Sequence, residues 1–406
     1  MTNPEPVIEI PEHAFRGLIR TPRGDNPPPP FSTSVAQSVW RFHRQLPGYA
    51  PTNLVRLRQL ARSWGLSDIL IKDESTRFGL KAFKVLGGSY AVARMVCKKL
   101  GITIEAADFR HLVSEKVRRR LGRLTLATAT DGNHGRGVAW AAEQFKQPAV
   151  IFMPRGSAQA RVASIRSHGA SVEVTDLNYD DTVRLARRRA REKGWQLIQD
   201  TAWEGYTAIP RWIMQGYLTM AAEAAEQMTD AGQRPTHVFL QAGVGAFAGA
   251  MAGYLANRYP DNPPRFIIIE PENAACILTS AAAADGRPRT VAGDLNTIMA
   301  GLACGEPSLA AWEILRDFAS GYIGCADEAA ANGMRTLAHP LPGDPAVEAG
   351  ESGAVGLGVL ELLMNNPRLA AFRQKLMIGP EATLLLFNTE GATDPANYRH
   401  ILQQAR

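Results

Sequence analysis

The chain has 406 residues, 45% of them hydrophobic and 21% charged, with a formal net charge of +6. That balance is ordinary for a soluble globular protein and gives enough length for two domains. The basic excess sits in two runs, Lys116 to Arg123 and Arg184 to Lys193. Neither brings the aromatic or groove-reading residues that nucleic-acid binding needs, so the charge points only to attraction of small anions.

In chain order, the opening MTNPEPVIEIPEH is acidic and proline-bearing. It lacks a basic segment followed by an apolar core, so no secretory leader is expected. Residues 1 to about 50, with prolines at 27 to 30, read as irregular. Beyond them, strand-like runs are expected at Asp68 to Lys72, Leu124 to Ala129, Pro148 to Met153, Ser171 to Thr175, His237 to Gln241, Arg265 to Glu270 and Thr383 to Phe387. Helix-like runs alternate with them, at Val85 to Leu100, Gly135 to Phe145, Asp180 to Lys193, Glu204 to Gln227 and Ala246 to Arg258. Such alternation predicts an α/β protein with mainly parallel sheets covered by helices. The Gly- and Ala-rich stretch Val238 to Leu255 contains Gln241 and reads as strand, loop and helix rather than a membrane span. The four cysteines (97, 276, 304 and 325) form no C-x-x-C pair. No metal site is therefore expected, and reduced thiols in the cytoplasm are the default.

Three segments carry chemistry. Lys84 lies in KDESTRFGLKAFKVLGGSYA, after Ala82-Phe83 and before a helix-like run. A lysine held by packing at a strand-loop-helix junction loses proton affinity and becomes a nucleophile for carbonyl carbon. Taken alone, it is more often a surface residue. TATDGNHGRGVAWAA, from Thr128, is strand, polar Gly loop and helix. There Thr130, Asn133 and nearby amides suit a carboxylate, Asp131 adds an acid, and His134 is expected to brace the turn. HVFLQAGVGAFAG, from His237, turns backbone N–H groups toward an anion at a helix N-terminus, and a phosphate is the expected guest. The same turn is a loose dinucleotide fingerprint, with Glu270 placed as the ribose-binding acid. An NAD-dependent oxidoreductase stays open on this segment alone.

In this order, Lys84, the Asn133 loop, the Gly243 turn and Thr389 of FNTEGATDP resemble the fold type II pyridoxal-phosphate enzymes, the family of threonine dehydratase and tryptophan synthase β. DTAWEGY (Asp200 to Tyr206), TIMAGLACGEPS (Thr297 to Ser308) and Asp131 resemble the branch that eliminates ammonia from diaminopropionate. The resemblance implies a lyase that converts D- and L-2,3-diaminopropionate to pyruvate and two ammonia, with pyridoxal 5'-phosphate on Lys84. It implies phosphate contacts from Gly243, Val244, Gly245, Ala246 and Phe247, contacts to the ring or substrate from Thr130, Asn133 and Thr389, and a second base, Asp131, opposite Lys84. Asp200 would bind the β-amino group; an N-cap near Glu204 is its alternative. Glu351 would support the site from behind or simply favour a helix N-terminus. A lysine at 81 departs from the branch, which usually has Asn there. Cys276 and Cys304 would lie near the entrance, where a disulfide is conceivable and free thiols are expected. The family further implies a homodimer, a larger domain of residues 1–89 plus 215–406, and a smaller inserted one of 90–214. A threonine or serine dehydratase of the same fold, and a catalytically silent relative, are the remaining alternatives.

Overall fold

Twelve strands divide between two sheets in the computed structural model, which describes residues 7–404 apart from 12, 13 and 25. The leader reading falls mostly outside these described residues. In chain order the strands are β1 (Ile8–Ile10), β2 (Phe15–Ile19), β3 (Asn53–Arg56), β4 (Asp68–Asp73), β5 (Leu126–Ala129), β6 (Ala149–Met153), β7 (Ser171–Val174), β8 (Gln196–Leu197), β9 (His237–Gln241), β10 (Arg265–Pro271), β11 (Ala319–Cys325) and β12 (Thr383–Asn388). The larger sheet runs β1-β2-β11-β10-β9-β12-β4-β3, and the smaller runs β7-β6-β5-β8. The smaller sheet is wholly parallel. The larger is parallel from β11 to β4, with antiparallel strands at both edges. Helices cover these sheets, as expected of parallel strands that are apolar on both faces.

All seven expected strands form, with ends shifted by no more than two residues. The opening segment corrects the irregular reading. Strands β1 and β2 add to the sheet edge, and a helix spans Thr33–His43. Phe15 and Leu18 of β2 are buried. Ser32 caps the helix by accepting from the Val35 N–H. Strand β11 is unpredicted because its sequence, ASGYIGC, holds few aliphatic residues; burial between β2 and β10 makes it a strand. The run from 204 to 227 is not one helix. Trp203 and Tyr206 stack in a tight turn, with ring centroids 4.4 Å apart, and two helices follow, Ala208–Gly216 and Leu218–Asp230.

Two features bring the functional segments together. First, small residues let helices meet: a β-carbon at Gly88 would fall 3.1 Å from the Gly137 carbonyl carbon. The helices Lys84–Leu100 and Asn133–Gln144 therefore pack backbone against backbone near their N-termini. Second, a buried charge network fixes the segment between β4 and Lys84. Lys72 and Arg77 both bind Glu223, at 2.8 and 2.7 Å, and Arg77 also binds Glu74 at 2.8 Å. Glu74 and Arg77 of ESTRFG are fully buried, which is possible because the partners neutralise each other.

Candidate active site

The C-terminal ends of strands from both sheets face one pocket, the usual place for ligands in open α/β sheets. Neighbouring strands β9, β12 and β4 lead to the Gly243 turn, Thr389 and Lys84. Neighbouring strands β5 and β8 lead to the Asp131–Asn133 turn and Asp200.

Lys84 is the first residue of its helix, and its side chain is 16% exposed. Phe83 anchors it, packing on Tyr217 and Phe247 with ring centroids 4.7 and 5.2 Å away. Lys84 Nζ donates to Asp200 Oδ2 at 2.6 Å. Burial pulls the proton affinity of Lys84 down, as expected from its packing, but the Asp200 carboxylate overrides it and holds the ammonium well above the usual lysine range. Conversely, burial pushes Asp200 up and Lys84 drives it well below the usual carboxylate range. The N-cap alternative for Asp200 falls, because the next helix starts at Ala208 and Asp200 Oδ1 accepts from Gln199 Nε2 instead.

Asp131 stands on another part of the wall, with Oδ2 buried and unpartnered. Burial raises its carboxyl, and Arg161 and Lys84 offset part of that rise. Asn133 donates its amide to Glu390 and accepts from Arg136 Nη2 at 3.4 Å. Thr130 does not reach the pocket wall. Its hydroxyl oxygen accepts from the Gly132 and Gly135 N–H groups at 2.9 and 3.0 Å, so it closes the turn beneath Asp131. His134 braces the same turn through a 2.7 Å contact from Nε2 to the Ile198 carbonyl.

The Gly243 turn forms a cradle. Gly245 has φ +90°, in the left-handed region that favours glycine, and caps the helix Ala246–Arg258. A β-carbon at Gly243 would fall 3.0 Å from Cys304 Sγ and 3.1 Å from the Gly301 carbonyl oxygen. Gly243, Val244, Gly245, Ala246 and Phe247 all line the pocket, and their backbone leads straight into the positive end of a helix. Thr389 Oγ1 accepts from Gln241 Nε2 at 3.0 Å, which leaves its own O–H to donate to a neutral acceptor. Ser352 Oγ, also on the wall, is buried and unpartnered. An amine for a carbonyl carbon, an N–H cradle for a phosphate and a free hydroxyl donor for a ring nitrogen together fit pyridoxal phosphate.

Other expectations separate here. Lys81 is half-exposed, pairs with Glu348 at 3.0 Å and stands off the pocket, so Lys84 is the pocket's lysine. Glu351 lies in the adjoining cavity, where it accepts from Asn397. Cys276 and Cys304 are free thiols on either side of Gly243. The dinucleotide reading is overturned at Glu270. Glu270 is fully buried and off the pocket wall, and its two oxygens are turned to the backbone N–H groups of Ile277 and Leu278, at 2.7 Å, rather than to a ligand. Glu390, Tyr179, Gln241 and Arg161 are site residues that the sequence reading misses. Only Glu390 carried a signal, its place beside Thr389 in NTEGATDP.

Fold and pocket define an α/β enzyme built around a lysine-anchored, phosphate-bearing cofactor. A family model described as "Pyridoxal-phosphate dependent enzyme" matches residues 45–371. Diaminopropionate ammonia-lyase of Escherichia coli strain K12 is 52% identical over 93% of this chain and 94% of its own. A crystal structure of the Escherichia coli lyase with D-serine superposes with a TM-score of 0.90 at 49% identity, covering 96% of this chain and 97% of that one. Another, with an aminoacrylate-PLP azomethine reaction intermediate, gives 0.88 at the same identity and coverage. The chain belongs to the pyridoxal-phosphate dependent enzymes and, within them, to the diaminopropionate ammonia-lyases. Among the described residues, no helix is long and apolar enough to cross a membrane.

Proposed function

We propose that this enzyme is a carbon-nitrogen lyase that eliminates ammonia from 2,3-diaminopropionate, D and L, yielding pyruvate and two ammonia with uptake of one water. Pyridoxal phosphate, when bound, supplies the electron sink that makes a Cα proton removable. Lys84 would hold its aldehyde carbon, the Gly243 to Phe247 turn its phosphate, and Asn133 and Thr389 its ring polar atoms. Lys84 and Asp131 act as bases on opposite faces of the substrate, one for each hand. Asp131 suits this task because its carboxyl is raised toward working pH and Oδ2 is free to accept.

The observation that carries the reading is the 2.6 Å pair between Lys84 and Asp200. Once the Lys84 amine is engaged and uncharged, Asp200 is a buried carboxylate without its cation, a costly state. A substrate ammonium at Cβ restores the pair, whereas the neutral hydroxyl of serine or threonine does not. Asp200 thereby selects a substrate whose leaving group is an amine. The loss of that amine as ammonia, with a proton from Cα, gives an enamine that water converts to pyruvate and the second ammonia. The bound D-serine of the Escherichia coli relative supports entry of D-amino acids.

The division into residues 1–89 plus 215–406 and an inserted 90–214 belongs to the same reading. It is supported by close contact near the two ends of the inserted segment: a β-carbon at Gly216 would fall 2.4 Å from the Leu86 carbonyl oxygen. Four buried free thiols support a cytoplasmic enzyme, and family resemblance supports a homodimer, which light scattering would test. The activity is tested by pyruvate release from each isomer. Asp131→Asn should lose the D-isomer activity by about 10²-fold more than the L; equal losses would refute the two-face assignment.

A further inference from the structure

Arg161 is a buried cation to which the reaction above gives no task. It stands in the helix Gln159–Arg166, 8% exposed. Its Nε has no hydrogen-bond partner, and its ion pair with Glu351 is long, at 3.9 Å from Nη2. A buried donor left open is costly, so a partner of opposite charge is called for. Asp131 shares the same cavity wall, and its Oδ2 is likewise buried and unpartnered. The Arg161 stem lies on the Asp131 turn itself. A β-carbon at Gly132 would fall 2.9 Å from Arg161 Cδ, so the residue after Asp131 must be this small for the guanidinium to approach.

The charged and titratable groups around Asp131 leave few other candidates. Lys84, Asp200, Glu390, Tyr179 and Cys304 line the pocket with it; Arg155, Asp294, Glu351 and Asp394 line the adjoining cavity. Arg155 is mostly exposed and paired with Asp294. Arg136, under Asn133, is committed to Asn133 and Ser164. Of the cations, that leaves Lys84 and Arg161, and Lys84 is uncharged whenever its amine serves as base or nucleophile. We infer that Arg161 acts on Asp131 across the cavity wall they share, as the fixed cation that holds this carboxylate ionised while Lys84 is engaged in the chemistry. The inference rests on the role given to Asp131 above. Burial is the main force raising the Asp131 carboxyl and Arg161 the first to oppose it, which agrees with the geometry.

The test compares wild type, Arg161→Met and Arg161→Lys as holoenzymes, with kcat/KM measured against pH for each isomer of 2,3-diaminopropionate. In Arg161→Met the acid limb of the D-isomer profile should move to higher pH. The D-to-L ratio on that limb should then fall about tenfold or more, and Arg161→Lys, which keeps the charge, should recover most of the D-isomer profile. Equal losses on both isomers, an unmoved acid limb, or methionine and lysine variants that behave alike would overturn the inference. Infrared titration of the Asp131 carboxyl in the cofactor-free protein, assigned with Asp131→Asn, reads the same coupling without turnover. A midpoint that rises in Arg161→Met supports it, and one that stays put overturns it. Should the methionine variant not fold, Arg161→Gln takes its place in both measurements. If wild type releases no pyruvate from either isomer, the reaction assignment fails, and the infrared titration still decides whether Arg161 governs Asp131.

Discussion

Asp200→Asn removes the charge that balances Lys84 and keeps the size of the side chain. In the cofactor-free protein it leaves a buried ammonium unpaired, which costs about 3–5 kcal/mol. At about 2.1 cal/mol/K per residue, 406 residues give an unfolding entropy of roughly 0.85 kcal/mol/K. The expected fall in Tm is therefore about 4–6 °C. Asp200 is depressed, so its contribution is present above the ordinary carboxylate value and is lost as pH falls through its folded one. Lys84 is raised, so its contribution is present below the ordinary lysine value and is lost as pH rises through its folded one. Between about pH 5 and 9 the difference between variant and wild type should then be flat, since the ordinary values are about 3.9 and 10.4. Loading with pyridoxal phosphate engages Lys84 and should shrink the difference. Calorimetry of both proteins, with and without cofactor, reads all three effects. A cofactor-free Asp200→Asn protein as stable as wild type would refute the reasoning, and so would a deficit that is unchanged on loading.

Two further substitutions separate neighbours. Lys84→Ala should abolish the visible absorbance of the bound cofactor and lower pyruvate release by about 10³-fold or more. Lys81→Ala breaks only a half-exposed pair with Glu348 and should change stability by less than about 1 kcal/mol, with the absorbance intact; loss of absorbance in Lys81→Ala alone would reverse the assignment of the two lysines. Gly243→Ala puts a methyl 3.0 Å from Cys304 Sγ inside the cradle. Crowding of about 1–3 kcal/mol should weaken pyridoxal phosphate binding roughly tenfold in a titration of the cofactor-free protein, and unchanged binding would mean that the turn does not hold the phosphate.

What the sequence reveals here is what the backbone does locally. Asn133, Gly243 and Thr389 each follow closely on the end of a strand, so a short window of sequence contains both the strand and the residue it delivers, while Lys84 is marked by the apolar pair before it and the helix-like run after it. Thr130 shows where such a window misleads: its hydroxyl is in the right loop, but the loop's own N–H groups take it. Charge pairing is hidden for a different reason. Lys84 and Asp200 are 116 positions apart, and Arg77 and Glu223 are 146 apart, so no local pattern marks either pair. Ala82-Phe83 correctly signals that Lys84 is removed from water, and desolvation alone would make it a ready nucleophile. The pair with Asp200 reverses that outcome in the cofactor-free protein, where Lys84 is an ammonium held in place. Its nucleophilic form exists only after a proton has left. The partner that stabilises the resting lysine is then the same carboxylate left open to the incoming substrate ammonium, so one ion pair sets both the resting state and the choice of leaving group.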